Sequence, residues 1–185
     1  MKLFIVSTLS LMIAASVSAQ ERLLTRNGSI SFFSKTSLED IEAHTQTAAS
    51  VMDKKTGGVE FSVLIKSFSF EKALMQEHFN ENYLESDKFP KSVFKGFIND
   101  LSKIDFSQEG KYTVTVTGQL TLHGETKTVT TPATFTVQKE SMIAVAEFSI
   151  ELDDYKIRIP ALVKDKISKT VKIAVNLKYE YVSLP

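Results

Sequence analysis

Lys111-Tyr112-Thr113-Val114-Thr115-Val116-Thr117-Gly118-Gln119-Leu120-Thr121-Leu122 decides the fold class. Its Tyr, Val, Val, Gly, Leu and Leu positions alternate unbroken with Lys, Gln and Thr. A period of two is the mark of a β-strand with one dry and one wet face. The pattern recurs at Val171, Ile173, Val175, Leu177, Tyr179 and Tyr181, with Lys172, Asn176, Lys178 and Glu180 between them. Met142, Ala144, Ala146, Phe148, Ile150 and Leu152 repeat it, and Val59, Phe61, Val63 and Ile65 form a fourth example. Less regular candidates occupy residues 29–35, 41–50, 93–101 and 126–137. Pro132 cannot donate a ladder hydrogen bond, so the last of these is expected at an edge or with a bulge. His123-Gly124-Glu125 supplies a tight turn between two strands. The chain is thus mainly β, with about eight strands, several longer than the usual five or six residues. Long sequential antiparallel strands with one apolar face close most economically into a barrel, which removes their edges. A two-sheet sandwich satisfies the same periodicity and stays open at this point.

Two stretches break the alternation. Residues 70–84 read as a helix, with Leu74, Met75, His78, Phe79 and Asn82 gathered on one side and Ser69 as the cap. Residues 160–167 open on Pro160 and read as a second short helix. With no repeat, linker or low-complexity segment, the organisation is one domain.

Composition narrows the function. Of 185 residues, 43% are hydrophobic, and 22 basic side chains balance 22 acidic ones. A disordered chain would carry fewer apolar residues and more net charge. A nucleic-acid binder working through a basic surface would show an excess of positive charge. Cysteine is absent, which removes disulfides and thiolate chemistry. Residues 1–19 carry one lysine, an apolar run and the ending Ser16-Val17-Ser18-Ala19, the form of a cleaved secretory signal peptide. The run falls short of the roughly 20 residues that a transmembrane anchor needs. Cleavage after Ala19 would leave residues 20–185 as an exported, soluble domain with a net charge of −1. The expected location is the periplasm or outside the cell. A chain of this length buries about 70% of its unfolded surface as one domain.

Catalytic chemistry finds no support in these residues. His44, His78 and His123 lack the close spacing of zinc ligands. There is no G-x-S-x-G nucleophile turn and no phosphate-binding glycine loop. Glu39/Asp40 and Asp153/Asp154 are sequence neighbours, which on a strand point to opposite faces. We expect neither an enzyme, a metal site nor a cofactor.

The run from Glu71 to Phe94 carries His78-Phe79, then Ser86-Asp87-Lys88-Phe89-Pro90, then Phe94. About 30 residues on stands Gly118-Gln119-Leu120-Thr121-Leu122-His123-Gly124-Glu125-Thr126-Lys127, and Gly58-Val59-Glu60-Phe61 precedes both. In this order these motifs resemble the YceI family, lipocalin-like periplasmic proteins that bind polyisoprenoids. The likeness spans nearly all of residues 20–185. Where many relatives have Arg-Asp a few residues before the histidine, this chain has Met75-Gln76-Glu77.

The resemblance implies an extended eight-stranded antiparallel lipocalin-like barrel with one or two short helices. It also implies an apolar tunnel that holds an isoprenoid tail, polyprenyl or quinone-type, as ligand rather than cofactor, and it suggests a homodimer that no residue pattern here specifies. The 13 phenylalanines suit such an interior. The residues expected to line it are Phe61, Val63, Met75, His78, Phe79, Tyr83, Phe94, Val114, Val116 and Phe148. Each apolar member has plain core as its alternative. His78 either caps a polar headgroup or is buried and satisfied by backbone. The competing function is an envelope stress or structural protein whose barrel is solid and whose surface binds a protein.

Overall fold

The computed structural model describes residues 22–181, so the leader expected at residues 1–19 lies outside them. Nine strands run in chain order: β1 Arg22–Lys35, β2 Asp40–Asp53, β3 Gly58–Leu64, β4 Ser69–Phe70, β5 Lys91–Ile98, β6 Gly110–Leu122, β7 Glu125–Val137, β8 Ser141–Glu151 and β9 Thr170–Glu180. All pairings are antiparallel, in the order β1-β9-β8-β7-β6-β5-β3-β2, and β1 pairs with β2 to close the ring. The result is an eight-stranded barrel, and two-residue β4 is an addendum to β2.

Barrel and sandwich were both compatible with the periodicity, and the pairing shows why. At one end every neighbouring pair is hydrogen-bonded. Towards the other end two seams open. β2 pairs with β3 only from Ala49↔Ser62 to Met52↔Val59, and β7 pairs with β8 only from Ala133↔Ala146 to Val137↔Met142. Pro132 sits where the second seam begins, having no N–H to offer β8. The neighbouring Thr131 hydroxyl donates instead to the Glu147 carbonyl at 2.8 Å. The expectation of an edge at Pro132 therefore describes a local edge inside a closed barrel.

Each seam is covered by a segment that is not a barrel strand. Residues 65–84 cover the first. Phe68 and Phe70 pack with Phe79 and with Phe32 of β1, ring centroids 5.0–5.9 Å apart. The helix expected over residues 70–84 is only six residues of α-helix, α1 Ala73–His78, followed by a π-turn, Phe79–Tyr83. Asn80 explains the change. Its side-chain amide donates to the Gln76 carbonyl at 2.9 Å, the acceptor that a continuing α-helix would reserve for the Asn80 backbone. Ser69 does not cap α1, since it belongs to β4 and Lys72 occupies the cap position. The second expected helix, 160–167, is a single 3₁₀ turn, Ala161–Val163. The second seam is covered by a 3₁₀ turn at Leu152–Tyr155, whose Leu152 and Tyr155 are buried.

The recognition motifs hold these covers down. His123 and Gly124 form a two-residue hairpin turn with φ of 50° and 78°. The His123 ring places Nδ1 2.9 Å from the Tyr155 carbonyl and Nε2 2.8 Å from Glu85 Oε2. Each ring nitrogen thus faces one acceptor oxygen. Phe89 packs edge-on against the same ring at 4.7 Å, and a Cβ on Gly124 would lie 2.6 Å from Phe89. The hairpin thus pins both seam covers at once.

The clamp has a pH signature. The hydrogen bond from His123 holds the Glu85 carboxyl below its ordinary 4.5, with Lys88 contributing. A carboxyl whose native pKa lies below its unfolded one stabilises fully above the unfolded value, and that contribution is lost as pH falls through the native value. Glu85→Gln should therefore melt below the parent chain at about pH 6, and the two melting temperatures should converge as the pH falls through the lowered native value of Glu85. Equal melting temperatures at about pH 6 would refute the clamp.

Candidate functional site

The seamed end of the barrel encloses a cavity of about 360 Å³. That lies at the lower end of the roughly 300–1,000 Å³ typical of small-molecule sites. Inward positions on successive strands show where hollow gives way to solid. On β9, Val171, Ile173 and Val175 face the cavity, whereas Leu177 and Tyr179 fill the barrel beyond it. On β6 the cavity is lined by Leu120 and Leu122, and on β3 by Phe61 and Val63.

Behind the wall at Phe61 lies an aromatic ring seated over two glycines. Phe94 stacks on Phe61 with ring centroids 5.1 Å apart. Gly96 and Gly118 face each other across β5 and β6 beneath it. A Cβ on Gly118 would lie 2.5 Å from Phe94 Cζ and 2.6 Å from Gly96 Cα, so only glycine fits under the ring. Deeper in the barrel, Ser50 donates to the Glu60 carbonyl at 2.8 Å and receives the Tyr179 hydroxyl at 2.7 Å. Burial pushes the Tyr179 phenol up to about 12, so it stays neutral and serves as a donor.

Of the ten residues expected to line a tunnel, Phe61, Val63, Met75, His78, Phe79, Tyr83 and Phe148 lie on the cavity wall. Phe94, Val114 and Val116 do not. All three are buried: Phe94 lies behind Phe61, which does line the wall, and the two valines belong to the solid half. His78 is exposed at the mouth, so the buried, backbone-satisfied histidine considered as its alternative is not what the chain builds. The solid barrel of the competing function describes one half only. Sequence reasoning missed the β1 and 157–167 contributions, among them Ile30, Phe32, Ile157 and Ile159. For β1 the signal was weak because a register shift near Gly28 interrupts its alternation.

The wall is aliphatic and aromatic, and its polar groups are either satisfied or sit at the mouth. Ser92 donates to the Thr121 carbonyl at 2.9 Å, and Ser34 accepts from the Ser168 amide at 2.9 Å. At the mouth, Lys72 Nζ lies 2.8 Å from Glu39 Oε1. The pair pulls the Glu39 carboxyl below its ordinary range, chiefly through the Lys72 hydrogen bond, and raises the Lys72 ammonium. Lys166 adds a further attraction on Glu39. Such an arrangement offers apolar surface inside and charged groups at the mouth.

The family model described as a YceI-like domain matches residues 14–179. Among solved structures, a polyisoprenoid binding domain from Saccharophagus degradans, implicated in plant cell wall breakdown, is 14% identical with a TM-score of 0.76, over 88% of this chain and 99% of that one. Burkholderia cenocepacia BcnA is 17% identical with a TM-score of 0.67, over 82% and 95% of the two chains. The Campylobacter jejuni YCEI protein is 16% identical with a TM-score of 0.56, over 97% and 99%. At these identities the likeness speaks for the fold alone. No curated protein matches the sequence.

Proposed function

The chain belongs to the family of YceI-like domains, and from that premise we propose that it binds one long-chain apolar lipid of polyisoprenoid type in the barrel cavity. It carries or stores this lipid without converting it. In this reading residues 1–19 direct export and are removed, and the remainder works as a soluble carrier in the periplasm. Among the described residues, no helix is long and apolar enough to cross a membrane.

The observation that carries the reading is the hollow, apolar half of an otherwise solid barrel. A chain that needed only stability would fill the space, since each buried methylene contributes about 0.8 kcal/mol. Phe32, Phe68, Phe70 and Phe79 face the void together, and Met75 adds a flexible thioether. The relative from Saccharophagus degradans, described as polyisoprenoid binding, supports the ligand class. Glu39, Lys72 and His78 at the mouth suit a polar headgroup.

The test is native mass spectrometry, followed by solvent extraction, on protein purified from the periplasm of an expressing bacterium. The expected result is one lipid per chain, with a prenyl series in the extract. A protein of bare mass from lipid-replete cells, with nothing in the extract, would overturn the proposal.

A further inference from the structure

The three most exposed large hydrophobic side chains of the described residues all stand at the cavity mouth. Leu38 is 64% exposed, Leu74 61% and Leu162 94%, whereas the next is Phe97 at 54%. Leu74 itself lines the opening, and the other two adjoin residues that do, Glu39 and Val163. They come from three separate segments, the β1–β2 turn, α1 and the 3₁₀ turn after Pro160. These segments converge on Glu39, which pairs with Lys72 and feels Lys166.

Leu38 and Leu162 sit in segments ordered by local hydrogen bonds. Leu38 sits in a turn where the Thr36 hydroxyl accepts from the Leu38 and Glu39 amides, at 3.2 and 3.1 Å. Leu162 sits in a turn closed by Val163 N–H to the Pro160 carbonyl at 3.0 Å and Lys166 N–H to the Val163 carbonyl at 2.9 Å. The Ser168 amide anchors that segment to Ser34. A water-facing rim has no use for ordered leucines, and grouped exposed apolar side chains mark an interaction surface.

Charge indicates the partner. Residues 158–169 carry Arg158, Lys164, Lys166 and Lys169 against Asp165 alone, all of them exposed. On the other two segments Lys35 pairs with Asp40 and Lys72 with Glu39, which leaves Glu71 and Glu77. Leucines beside a cluster of basic side chains match the interfacial zone of an anionic bilayer, where apolar insertion and charge attraction add.

We infer that the mouth face is a membrane-docking surface, on which Leu38, Leu74 and Leu162 enter an anionic bilayer so that the cavity opens onto lipid instead of water. The choice of a bilayer over a protein partner rests on the lipid-binding reading, because an insoluble ligand must leave the mouth into a lipid phase.

Vesicle flotation tests it, with the parent chain and a Leu38→Ser/Leu162→Ser variant on vesicles of phosphatidylcholine with one-quarter phosphatidylglycerol. Neither substituted leucine lines the cavity, so the variant should melt and carry lipid as the parent does. The parent should float with these vesicles and the variant at least about tenfold less, as expected where binding scales with inserted apolar area. Equal flotation on pure phosphatidylcholine would overturn the role of the basic segment. A parent chain that carries lipid yet stays at the bottom overturns docking and leaves the lipid reading intact. A chain that floats but never carries lipid does the reverse. Dimers that need Leu38 and Leu162, with no flotation, would assign the face to a second copy and overturn the inference.

Discussion

Phe94→Ala is expected to cost about 3–5 kcal/mol, the usual loss for removing a buried phenyl ring. For a domain of this size that is roughly 6–20 °C in melting temperature, at about 2–4 °C per kcal/mol. The upper part of the range is the better expectation, because the spread in such costs reflects how far neighbours can close the hole. Here the atoms beneath the ring are the backbones of Gly96 and Gly118, which have no side chains to swing inward. On the other side Phe61 loses its stacking partner. Thermal melting by circular dichroism checks this, and a shift below about 3 °C would mean that the ring is not the support assigned to it. The converse variant, Gly118→Ala, should also destabilise, by about 1–3 kcal/mol, since its Cβ would lie 2.5 Å from Phe94 Cζ.

Val175→Trp should separate ligand binding from stability. Val175 lines the cavity and is flanked across the strands by Ile30 of β1 and Ala146 of β8. An indole there extends into empty space where elsewhere in the barrel it would overpack, so the fold should be kept and the melting temperature held or raised. Lipid recovered per chain should fall by at least about tenfold, equivalent to about 1.4 kcal/mol of lost affinity. A full lipid complement with the tryptophan in place would show that the lipid resides elsewhere. The two variants are expected to act in opposite senses, one opening a hole behind the wall at a cost in stability and the other closing the cavity at none.

The strands were legible because one-face burial imposes a period of two over runs of ten or more residues, as on β6 and β9. The cover of the first seam was not. Asn80 diverts α1 into a π-turn through a single side-chain bond, and nothing in local propensity distinguishes that from a helix running to Leu84. Site residues were legible by face but not by depth. Val114, Val116 and Leu120 point inward on the same strand, yet only Leu120 reaches the cavity, because depth depends on where the β2–β3 and β7–β8 pairings end. Pro132 was the one local signal of such an ending. The motifs that carry the family likeness mostly mark neither wall nor mouth. Phe89, His123 and Gly124 meet one another at the clamp, and Phe94 and Gly118 meet behind Phe61.

The two seams and the wall at Phe61 set different limits on what the cavity can accept. Across each seam no ladder bonds join the strands, so the two half-sheets can part slightly without breaking backbone hydrogen bonds. Depth has no such freedom, because Phe61 on the wall is backed by Phe94, whose ring is seated on paired glycines. Under the proposed lipid binding, the barrel should therefore tolerate a guest's girth and be strict about its length. It would behave as a ruler, and its stop would be Phe61 with Phe94 behind it.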